Sequence, residues 1–229
     1  MIKHSPIPTP NETLFGFVYY ALQLLIIPAI LLVGNSLLTQ PYSESAVNFV
    51  CFAINFLAVT VIFHKFLLAN LQIAVRCPWR TLQAAGIGMG IYLVGTWIFT
   101  VVMSYVNPEF TNINDQAIMQ MVQENYALMS IGTVLLVPLV EECFYRGLFF
   151  RKLFTRSKVL AYIVSMVIFG AAHVAGYIGA TDWATLGLCF LQYLPASFAL
   201  SWSYHYSGTL FAPILIHMTV NQMGMLAMR

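Results

Sequence analysis

Seven stretches of the chain, 14–36, 46–68, 82–105, 128–150, 158–178, 184–204 and 208–227, are almost wholly apolar. Each approaches the ~20 residues a helix needs to cross the ~30 Å hydrocarbon core of a bilayer. A spanning segment must satisfy its backbone hydrogen bonds without water, which leaves helices or a closed barrel. The alternation expected of barrel strands is absent. Composition agrees: 60% of residues are hydrophobic and 8% charged, against about a quarter charged in soluble domains. The sequence therefore predicts an all-α, polytopic transmembrane bundle of about seven spans. It forms one membrane domain over 1–229, with 1–13 an irregular N-terminal tail and no cleaved leader. Its surroundings are a lipid bilayer, and a net charge of +2 gives no footing for nucleic acid.

The charges outside these segments sort by side. Lys3, Lys65, Arg76, Arg80, Arg151, Lys152, Arg156 and Lys158 fall in the N-terminal tail and one set of connections. Glu44, Glu109, Asp115, Glu124 and Asp182 fall in the other, with Arg229 at its end. The positive-inside rule puts the N-terminus in the cytoplasm and the C-terminus outside, as an odd number of spans requires. The longest connection, 106–127, carries Ala117, Ile118, Met121 and Val122 at helical spacing. That pattern predicts a short helix, and an ordinary surface helix is preferred over a lid. The four cysteines are scattered and read as free thiols.

Ionisable groups inside a membrane are rare and face the bundle interior. Glu141, Glu142 and Arg146 lie in the fourth segment, His173 in the fifth, and His217 with Asn221 in the seventh. At ~1.5 Å per residue, these groups sit ~15–22 Å from the cytoplasmic ends of their helices. Three helices distant in sequence thus bring their strongest polar groups to one level. Glu142 and Arg146 are four apart, as are His217 and Asn221, so each pair shares a helix face. Glu141 is turned ~100° from Glu142, so the two carboxylates take different roles. Pro138 and Pro213 precede the polar groups and are expected to kink their helices and free carbonyls.

These residues form an ordered set: Glu141-Glu142-Cys143-Phe144-Tyr145-Arg146, Phe169-Gly170-Ala171-Ala172-His173 and His217-Met218-Thr219-Val220-Asn221. The set resembles the CPBP family of intramembrane proteases, which includes type II CAAX prenyl endopeptidases and the bacterial Abi proteins, some linked to bacteriocin immunity. The resemblance covers roughly 137–221, and 128–227 holds the motif-bearing helices. It implies that Glu141 is the general base activating a water. His173, His217 and Asn221 would position the water and stabilise the oxyanion, with Glu142, Arg146 and Phe169 in support. The substrate would be a membrane-associated peptide: a prenylated CAAX-type C-terminus, a peptide precursor or a sorting tail. The setting would be a bacterial cytoplasmic membrane.

A metal-free mechanism is preferred. Zinc remains an alternative, with Glu141, His173 and His217 as ligands, although no H-E-x-x-H occurs. Buried Glu and His also build proton relays, so a proton-coupled transporter is a second reading. That reading is weakened because the polar residues all lie in one half of the chain. A non-catalytic immunity or partner protein is a third, and it would tolerate loss of Glu141. Oligomeric state leaves no mark in the sequence.

Overall fold

A computed structural model describes residues 5–229. The first residues of the expected tail, Lys3 among them, lie outside the described residues. The described chain has no strand beyond one isolated bridge, Ile178 with Thr181. Its helices are α1 Pro10–Ser36, α2 Glu44–Ile62, α3 His64–Arg76, α4 Pro78–Val106, α5 Ile113–Glu124, α6 Tyr126–Phe154, α7 Lys158–Tyr177, α8 Trp183–Ser207 and α9 Phe211–Ala227. Six of them, α1, α2, α4, α6, α7 and α8, are long and apolar enough to cross a membrane. The last expected span is helical too, but α9 has 17 residues, the short end of the spanning range. The protein is an all-α, multi-pass membrane bundle. Large apolar side chains such as Leu25, Val61, Trp97 and Val159 stand more than half exposed on its outside, as hydrocarbon requires.

Two expectations need correction. The N-terminal tail does not stay irregular to residue 13. Thr9 and Glu12 form a capping box, with Pro10 at the first helical position, and α1 starts there. The second span does not run 46–68 but ends at Ile62, because Phe63 leaves helical geometry (φ −99°, ψ 21°). The cause lies in α1, where Glu12 accepts the N–H of Phe66 at 2.8 Å and so caps a new helix. Residues 63–72 are apolar enough to hide that break in the sequence. In α3, Asn70 Oδ1 accepts the Leu210 N–H at 2.9 Å, and its carbonyl takes the Thr209 hydroxyl at 2.8 Å. The helix is thereby fastened to the α8–α9 turn, where Gly208 supplies the left-handed cap (φ 77°).

The centre of the bundle is α6. Half of its most apolar stretch is buried, against 6% for α1. Phe144, Phe63, Phe66, Phe150, Tyr204 and Leu210 pack into one core on its basic side. On another face of the bundle α4 meets α8 and α9 at Gly88. A Cβ there would stand 2.5 Å from Ile216 Cδ1, 3.1 Å from Ser203 Cβ and 3.5 Å from the Ala199 carbonyl. The Ile216 tip can swing away, but the α8 atoms cannot. Gly88→Val should therefore destabilise the fold by about 1–3 kcal/mol through overpacking. Thermal unfolding in detergent reads this, and an unchanged midpoint would show that α4 does not pack as described.

Candidate active site

Helix α6 carries the two glutamates, and its backbone is unusual on both sides of them. Ile131–Leu136 and Cys143–Phe150 are π-helical, a widening often found at functional sites. In the first stretch the Val137 N–H reaches back five residues to the Gly132 carbonyl. The next bond in that register would run from residue 138 to the Thr133 carbonyl, but Pro138 has no N–H to give. Asn221 fills the gap from α9, donating Nδ2–H to that carbonyl at 2.7 Å. So Pro138 frees a carbonyl as expected, and a motif residue takes it. Pro213 does not act alike. It is the third residue of α9, where backbone N–H groups have no intrahelical partner to lose.

Glu142 and Arg146 are fully buried and paired at 3.0 Å. Arg146 also donates to the carbonyl and hydroxyl of Ser197 on α8, both at 3.1 Å, and its guanidinium lies 4.9 Å from the Phe169 ring centre. The same Glu142 oxygen accepts Nδ1–H of His217 at 2.9 Å. That bond fixes the imidazole tautomer and turns Nε2 toward Glu141, whose Oε2 is 3.8 Å away. Glu141 Oε2 has no hydrogen-bond partner within the protein. The two carboxylates are thus divided: Glu142 holds the scaffold, and Glu141 is held in reserve.

His173 reaches this group indirectly. Its Nδ1–H donates to the Phe169 carbonyl at 2.8 Å, and its ring stacks on Tyr193 at 4.2 Å and on Phe169 at 4.5 Å. Phe169 in turn packs against His217, with ring centres 6.1 Å apart. In each imidazole Nδ1–H is already committed as a donor, so in the neutral form Nε2 is left as an acceptor. This alters the expected roles, because a neutral His173 or His217 cannot donate to an oxyanion. Asn221 keeps one amide hydrogen for that purpose.

Glu141, His173, His217 and Asn221 all line one cavity of about 810 Å³. Leu24, Leu31, Phe52, Met129 and Met225 make part of its apolar wall. Its other boundary is α5, which is more than an ordinary surface helix. Ile118 and Met121 face the cavity, and Val122 is buried against Met129 and Met225. Asn112 donates to Gln192 and Asn114 to the Tyr193 hydroxyl, each at 3.0 Å, while the Tyr177 hydroxyl donates to Asn114 Oδ1 at 3.2 Å. At the far end, Glu124 accepts the Ser45 N–H at 3.0 Å. The helix is tied down at both ends across the cavity and carries Asp115 into its lining. Asn114, Asp115, Gln192 and Tyr193 were missed in the sequence. An asparagine-rich loop beside an amphipathic turn was the available signal.

Residues 123–223 match the family model described as type II CAAX prenyl endopeptidase Rce1-like. This stretch of the chain is similar to Rce1-like domains. Searches of curated proteins and of solved structures returned no match. The Rce1-like match takes in α6, α7, α8 and α9 as far as Met223, and so every motif residue. Helices α1–α4 and most of α5, with Asn114 and Asp115, lie outside it.

Zinc ligands stand ~2 Å from the ion, which brings donor atoms within about 3.5 Å of each other. Among the described residues no group of three or more His, Cys, Asp or Glu side chains is gathered in that way. The Phe169 ring packs against both imidazoles and keeps them apart. The residues as arranged do not fit a zinc site.

Proposed function

We propose that the protein is an intramembrane endopeptidase in which Glu141 activates a water. The substrate is a membrane-associated peptide: a prenylated CAAX-type C-terminus, a peptide precursor or a sorting tail. The setting is a bacterial cytoplasmic membrane. One observation carries the reading: an unpartnered carboxylate oxygen of Glu141 stands 3.8 Å from an imidazole nitrogen on the wall of a cavity large enough for a peptide segment. A water in the cavity donates to the Glu141 carboxylate and to His217 Nε2, which leaves its lone pair free for the substrate carbonyl. Glu141 takes one proton as the oxygen attacks. The tetrahedral oxyanion accepts from the remaining Asn221 N–H, in a water-poor site where such a donor counts most. Glu141 then returns its proton to the leaving amine, and the C–N bond breaks.

The Rce1-like match supports proteolysis, and the tautomers set by Glu142 and the Phe169 carbonyl support a glutamate base. The test is metal removal. Purified protein in liposomes is given prenylated and unprenylated peptides, with and without a strong chelator, and products are read by mass spectrometry. Cleavage is expected to survive the chelator. Cleavage abolished by chelator and restored by zinc would overturn the metal-free mechanism while leaving a protease.

A further inference from the structure

The cavity is lined by 39 residues, and among them, beside the two histidines, the acidic side chains are Asp115 and Glu141. No lysine or arginine faces it. The nearest basic groups are occupied: Arg146 is sealed behind the wall by Glu142 and Ser197, and Arg229 lies over the Tyr126 ring at 5.3 Å. The neutral polar groups of the roof, Asn114, Gln192 and the Tyr177 and Tyr193 hydroxyls, are engaged in latching α5 or neighbour those that are. A negative group on a bound peptide would meet two like charges and no countercharge in a poorly solvated space.

Asp115 is not a stray surface acid. It falls on the same face of α5 as the buried Asn112 and Val122 and the cavity-lining Ile118. Its carboxyl is pushed up, first by burial. The charge of His173 and hydrogen bonding from Gln192 and Tyr193 pull the other way. The protein carries this carboxyl on α5 into the cavity wall and sets no lysine or arginine beside it there.

We infer that Asp115 is a specificity-determining residue that takes a lysine or arginine side chain of the substrate near the scissile bond, and that the site does not recognise its substrate by a free C-terminal carboxylate. This rests on the endopeptidase reading and narrows it to peptides cut within a basic, membrane-bound segment. The spacing suits it. Asp115 follows Asn114, which bonds the Tyr193 hydroxyl; Tyr193 stacks on His173, and one aromatic ring lies between His173 and His217. Two or three residues of extended peptide, at ~3.3–3.6 Å each, cover such a span. Because α5 lies almost wholly outside the Rce1-like match, the preference belongs to this chain's cap.

Binding and cleavage test it separately. Labelled apolar 20-residue peptides carry lysine, norleucine or glutamate at one of three central positions. Each is made as free acid and as C-terminal amide, and its anisotropy is measured with Glu141→Gln protein in liposomes. Lysine peptides are expected to bind at least ~10-fold tighter than glutamate peptides, with amides bound no worse than acids. Adding Asp115→Asn should cut that ratio below about threefold, and Asp115→Lys should reverse it. Free acids bound better than amides, or a lysine preference untouched by both Asp115 variants, overturns the inference. Cleavage of the same peptides by protein with Glu141 intact reports on the enzyme reading alone.

Discussion

Glu141→Gln is expected to lower kcat about 10²–10⁴-fold, the usual worth of a positioned general base, and to leave the protein folded. Both halves follow from the same geometry. The Glu141 carboxylate, its Oε2 included, makes no hydrogen bond within the protein, so no structural bond is lost when it becomes an amide. The scaffold bonds belong instead to Glu142, which accepts from Arg146 and His217. Substrate affinity should change far less than turnover, since what is removed acts in the transition state. Cleavage of a peptide that the unaltered protein cuts, followed by mass spectrometry beside a thermal melt, checks this. A fully active Glu141→Gln protein would end the base assignment. Retained protection against a bacteriocin, with no peptide cut even by unaltered protein, would favour the partner reading.

Much of this was legible because charge is scarce. In a chain with 8% charged residues, Glu141, Glu142, Arg146, His173 and His217 stand out in apolar segments, and all but Glu141 hold hydrogen-bond partners there. Sequence spacing gave the Glu142–Arg146 pair directly. It could not give the assignment of His217 Nδ1 to Glu142, which depends on how α9 is turned against α6. Nor could it give the committed donors of the two histidines. The path from Pro138 to Asn221 was half visible: a proline frees a carbonyl in any sequence, but the π register decides which one. The cap was harder. Asp115 reads as one more acidic loop residue until α5 is laid across the cavity, because its environment is made by Gln192, Tyr193 and His173 from two other helices. The break at Phe63 was invisible for a like reason, since the group that causes it, Glu12, is 54 residues from the N–H it caps.

Arg146→Met should be the most destabilising single change in the site, by about 3–5 kcal/mol, the cost of leaving one member of a buried ion pair alone. Arg146 is fully buried, and its loss strips Glu142 of its countercharge and the Ser197 carbonyl and hydroxyl of their donor. A melting point lower by roughly 10 °C follows, at about 2–4 °C per kcal/mol for a chain of this size. The double variant Glu142→Gln with Arg146→Met should recover part of the loss, because removing both charges leaves no buried ion unpaired. Activity should not recover with it. Glutamine at 142 accepts less strongly from His217 Nδ1–H, so the tautomer that turns Nε2 toward Glu141 is no longer enforced. Stability and turnover therefore part company in the double variant. Melting curves and turnover measured on the same preparations check the pair. If the double variant were both as stable and as active as the unaltered protein, Glu142 would be a structural counterion to Arg146 and nothing more.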